Sequence, residues 1–265
     1  MTEKLFKKSM KLADVIDANY QLLFVLPRFG IKLGFGDVSI ADICKKHEVN
    51  EDVFVLICNI YTFEDYLPKL SEMNNVSLEY IMFYLKQSHN DYLTKKIPHI
   101  LGHIENLADE AHSRQRGIIK QFCDNYKKEV AEHFNYEEKT VFPYIESLIK
   151  GINGNKYKID DFLHNHSNLD DKLHDLKSII MKYIEPKADE ITSDLLMDIY
   201  LLEEDLKRHT AKAANIFSSM VVWRFKSSSS RYISINKSLV ISSAFGSIYF
   251  IIMLFKSCNL SSKLL

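Results

Sequence analysis

Four histidines and one glutamate, His89, His133, Glu137, His166 and His209, occupy positions where hydrophobic periodicity requires an apolar side chain. Burying an imidazole or a carboxylate without a partner costs several kcal/mol, roughly 2–7 for a neutral polar group. A lone histidine of this kind is ordinarily a hydrogen-bonded core residue. Four of them on four successive stripes, with a carboxylate, need a common partner, and a metal ion supplies one. His133 and Glu137 lie one helical turn apart on the same face, so both can reach a single interior site. Imidazoles with a carboxylate and no thiolate suit iron, manganese or zinc. A helical interior with enough ligands for two ions, and a carboxylate able to bridge them, favours a di-iron centre, with zinc remaining open. Thiolate chemistry is not indicated, because Cys44, Cys58, Cys123 and Cys258 are scattered with no C-x-x-C spacing.

The elements that must position these groups follow from the spacing. Apolar residues recur at steps of three and four, and only eight glycines and five prolines interrupt the chain, which predicts an all-α protein. The first stripe runs Leu78, Met82, Leu85, His89, Leu93, Ile97, Ile100, Ile104, Leu107, and the second Ile119, Phe122, Tyr126, Val130, His133, Glu137, Val141, Ile145, Leu148. The third runs Phe162, His166, Leu169, Leu173, Leu176, Ile180, Ile184, and the fourth Leu195, Ile199, Leu202, Leu206, His209, Ala213, Ile216, Met220. Stripes of this kind leave water by facing one another, and with short connections they make an antiparallel four-helix bundle over residues 78–220. The histidine depths agree to about a turn across the first and third connections, and an extended loop closes the gap at the second. His47, His99, His103, His112, His164 and His174 fall outside this layer and read as surface or supporting groups. Residues 1–70 predict a small helical module of short pieces, with Ser39 and Asn50 as helix caps and Gly30, Gly34 and Gly36 as breaks.

The segment His133-Phe-Asn-Tyr-Glu137-Glu138-Lys-Thr-Val-Phe142-Pro143 resembles the H-x-x-x-E-E-x-x-x-F-P signature of haemerythrin-like, or HHE cation-binding, domains. The stretches around His89 and His166 resemble the companion ligand segments. Residues 1–70, with VLPRFGIKLGFGDVSIADIC, are similar to the small domain that precedes the haemerythrin-like domain in bacterial di-iron proteins of iron–sulfur cluster repair. The resemblance implies a di-iron site in which His89, His133, His166 and His209 are terminal ligands and Glu137 is one of two bridges. The second bridge is due four residues after His209, where this chain has Ala213, which has no donor atom, so the second iron position lacks its carboxylate. Asp205, one turn before His209, and Asp170, one turn after His166, lie on faces from which they could compensate. Leu33-Gly34-Phe35-Gly36 stands where those repair proteins usually have a Cys-Cys pair, so no thiol role carries over.

Composition changes abruptly after residue 210. Residues 211–265 hold seven Lys/Arg, no carboxylate and 14 serines, and residues 221–265 form an atypical basic, serine-rich tail with an apolar run at 239–255. The run suggests a C-terminal membrane anchor with Arg224, Lys226, Arg231 and Lys237 on the cytoplasmic side, or alternatively an altered reading frame. The charged N-terminus lacks the apolar core of a secretion signal, which places the protein in the cytoplasm. No nucleic-acid partner is expected, since the basic residues are sparse and no helix-turn-helix pattern occurs. The expected function is non-haem iron binding with nitric oxide or oxygen as ligand, and damaged iron–sulfur proteins as partners in cluster repair under nitrosative or oxidative stress. The alternative is a metal-dependent regulatory module without catalysis.

Overall fold

A computed structural model of the chain describes residues 5–109 apart from 65, 67 and 70, together with 113–150, 172–182 and 189–227. Helices dominate, and among the described residues there is no strand, only an isolated bridge between Lys11 and Ser39. The chain forms two compact units, one around the N-terminal helices and one around the core of the long helices.

In the first unit, α1 (Leu12–Ala18), α2 (Ile40–Lys46) and α3 (Glu51–Thr62) are joined by two 3-10 turns, Tyr20–Phe24 and Leu26–Phe29. The caps are those expected. Ser39 and Asp42 form a reciprocal capping box at the start of α2, and the Asn50 side chain accepts from the Val53 amide at 2.9 Å. Gly30 ends the second 3-10 turn at φ 71°, a left-handed conformation that glycine adopts without a Cβ clash. The buried Asn59 accepts from the Phe6 amide at 2.7 Å and donates to the Phe6 carbonyl at 3.2 Å, pairing the N-terminal strap with α3. Arg28, also buried, donates to the hydroxyls of Tyr61 at 3.0 Å and Tyr84 at 3.2 Å. Burying a guanidinium is tolerable only with partners of this kind.

The long helices follow. The first is α4 (Leu78–Asp91), a π-helical turn at Tyr92–Lys96, and α5 (Ile97–Asp109). The second is α6 (Ser113–Tyr136), a π-helical turn at Glu137–Val141, and α7 (Phe142–Lys150). The described part of the third, α8, covers residues 172–182, and the fourth is α9 (Asp189–Ser227). Both π turns sit where the sequence stripe takes consecutive steps of four: His89, Leu93, Ile97 and His133, Glu137, Val141, Ile145. Steps of four exceed the 3.6-residue period, and a wider i→i+5 turn absorbs the excess. The rotation has a consequence: Tyr92 is fully buried, while Leu93, expected on the seam, is only partly so.

All four long helices feed one apolar core: Ile100 and Ile104, Tyr126 and Val130, Leu173 and Leu176, Ile199 and Leu202 are all buried in it. Lys96 pairs with Asp205 and His99 lies by Asp198, so numbers rise along the first helix as they fall along the fourth, the antiparallel order. No helix among the described residues is long and apolar enough to cross a membrane. The run at 239–255, His166, Asp170 and most of the tail lie outside the described residues.

Candidate metal centre

His89 sits in the last turn of α4, with only 1% of its side chain exposed. Its ring stacks on Phe134 with centroids 4.1 Å apart and planes 7° from parallel, and Phe142 covers it at 5.7 Å. Such packing fixes the ring plane and leaves its two edge nitrogens as the available polar groups. Nε2 lies 3.1 Å from Oε2 of Glu137, and Nδ1 lies 2.9 Å from Oε1 of Glu138. The other Glu137 oxygen, Oε1, lies 3.4 Å from Nε2 of His133, one turn earlier on α6. One carboxylate therefore has an imidazole nitrogen against each of its oxygens.

These separations suit a shared cation. Two donors each bonded at about 2.0–2.2 Å to one ion stand roughly 3.0–3.5 Å apart, the range spanned by the His89 and His133 contacts with Glu137. The Glu138 contact supplies what a ligating histidine ordinarily has, a carboxylate on its far nitrogen. In the tautomer that carries its proton on Nδ1, toward Glu138, Nε2 would present a lone pair to a cation beside Glu137.

His209 is buried on α9, one turn past Asp205. Of the five residues expected from sequence, then, His89, His133 and Glu137 are brought together, His209 is buried on its own helix, and His166 lies outside the described residues. Asp205, a candidate substitute for the missing bridge, has one oxygen paired with a lysine. It is 2% exposed and its Oδ2 accepts from the Lys96 ammonium at 2.6 Å.

Sequence reading gave no role to Glu138, Phe134, Phe142 or Lys96. For Glu138 two signals were present: it directly follows Glu137, a ligand-like position, and the consecutive steps of four mark the π turn that begins there. π turns of this kind occur frequently at functional sites. The donor set of His89, His133 and Glu137 fits a hard or borderline cation such as iron. The position four residues past His209, where the resemblance implies a second bridging carboxylate, is alanine.

Residues 87–221, half of the chain, match the family model described as the hemerythrin HHE cation-binding domain. Comparison with curated proteins and with solved structures gives no match. With the histidine–glutamate cluster inside the matched span and all four long helices contributing to one core, the chain belongs to the hemerythrin HHE cation-binding domain family.

Proposed function

We propose that this protein holds non-haem iron through His89, His133, Glu137, His166 and His209, and that it binds or senses nitric oxide or oxygen. The observation that carries the reading is Glu137, buried and flanked by an imidazole nitrogen on each oxygen at 3.1 and 3.4 Å, with Glu138 on the far side of His89. Iron with an open coordination position supplies affinity for small diatomic ligands. The chain's own part is to orient the imidazoles by stacking, to fix the His89 tautomer, and to exclude bulk water with Phe134 and Phe142. The cellular role that fits is a response to nitrosative or oxidative stress, including repair of iron–sulfur clusters. That part rests on the similarity of residues 1–70 to the corresponding part of repair proteins.

Anaerobic reconstitution followed by metal analysis and near-ultraviolet spectroscopy tests the reading. Bound iron and a spectral change on adding nitric oxide support it; a chain that takes up no iron overturns it. Ala213→Glu restores the missing carboxylate, and a rise from about one to about two irons per chain marks the native site as one carboxylate short of a di-iron centre.

A regulatory reading has its own support. Arg208, next to His209, donates to the Tyr61 carbonyl at 2.6 Å, and Arg28 joins Tyr61 to Tyr84, five residues before His89. Helix segments that carry ligand positions are thus bonded to α3 and its neighbours. Cluster-repair assays with a damaged iron–sulfur enzyme separate the two: repair favours the first reading, and iron-dependent change without repair favours the second.

A further inference from the structure

Two histidines and an aspartate stand near one another on the outside of the helices. His99 and His103 stand at i and i+4 on α5, both exposed, with ring centroids 4.5 Å apart in an edge-to-face arrangement. Histidines at this spacing project from one helix face and can chelate one ion, as they do in helical zinc motifs. Across from them on α9, Oδ2 of Asp198 lies 3.7 Å from Nε2 of His99. That separation is too long for a good hydrogen bond, yet it is close to the roughly 3.4 Å between two donors on a tetrahedral ion with bonds of about 2.0–2.1 Å. Gly102, between the two histidines, adds no side chain, and a Cβ placed there would meet nothing within 4 Å. Lys95, the cation one turn before His99, is paired with Asp91 at 3.2 Å.

We propose that His99, His103 and Asp198 form a surface site for a borderline divalent transition-metal ion of the zinc class, separate from the buried centre. Two imidazoles and one carboxylate match the ligand preference of zinc, and exposures of 61% for the His99 and 44% for the Asp198 side chain leave room for water as the fourth ligand. An ion held there ties α5 to α9. Binding to the folded chain then raises its stability in proportion to zinc concentration over the dissociation constant.

The test uses the full chain after iron reconstitution, so that the buried centre is already filled, and titrates it with zinc against a chromophoric chelator. The expected result is one zinc equivalent beyond the iron and a thermal midpoint that rises with zinc. His103→Ala and Asp198→Asn should each weaken that equivalent about tenfold or more, and should cancel the rise in midpoint. His103 is exposed and Asp198 only partly buried, so the variants should retain wild-type helix content and iron content. Imidazole nitrogen resonances of His99 and His103 that shift on zinc addition give a second readout. Zinc uptake equal in wild type and both variants, or none beyond the iron, overturns the proposal.

Discussion

Replacing Glu138 should weaken metal binding without removing a proposed ligand. Its Oε1 lies 2.9 Å from Nδ1 of His89, and the side chain is 35% exposed. A hydrogen bond to a charged group contributes about 1.5–3 kcal/mol, and loss of a carboxylate behind a ligating histidine costs about 10–100-fold in affinity. Glu138→Gln keeps an oxygen able to accept from Nδ1 and loses only the charge, which solvent already screens in part. It belongs at the low end, about tenfold, or roughly 1.4 kcal/mol. Glu138→Ala removes the acceptor and frees the ring to change tautomer, so it should approach about 100-fold. Competition with a chromophoric chelator under anaerobic conditions measures both constants, and circular dichroism verifies that the helices persist. Two folded variants that bind iron within about twofold of wild type would refute the assignment of Glu138 as the group that orients His89.

Phe134→Ala removes a 4%-exposed ring from the His89 stack and should lower unfolding stability by about 3–5 kcal/mol in urea denaturation, along with iron affinity. Burial pushes the Glu203 carboxyl up, but hydrogen bonds and charges from Lys177 and Lys207 outweigh it and hold the group below the usual carboxylate range. Its stabilising contribution is therefore present above the unfolded-state carboxylate pKa and lost as pH falls through the lower folded value; Lys177→Met should flatten the acid limb of the stability–pH curve. Burial raises the Cys44 and Cys123 thiols to about 12 and pushes Cys58 up as well, so alkylation of all three at pH 8 should wait for unfolding, as mass spectrometry of the folded and denatured chain would show.

What the sequence determined by itself is the local part of this protein. Helical periodicity is set by the backbone hydrogen-bond period. The stripes through Ile100, Tyr126, Leu176 and Ile199 therefore announced four helices, and the polar interruptions announced His89, His133, Glu137 and His209. Caps are local in the same way, which is why Ser39 and Asn50 could be read as helix starts. What only the tertiary structure decided is which polar group each side chain meets. The His89–Glu138 contact spans 49 residues and Lys96–Asp205 spans 109, and both depend on how far each helix is rotated about its own axis. The π turns at Tyr92–Lys96 and Glu137–Val141 shift that rotation. Asp205 shows the outcome: sequence placed it on a face from which it could bind metal, and only the fold shows that one of its oxygens pairs with a lysine from another helix.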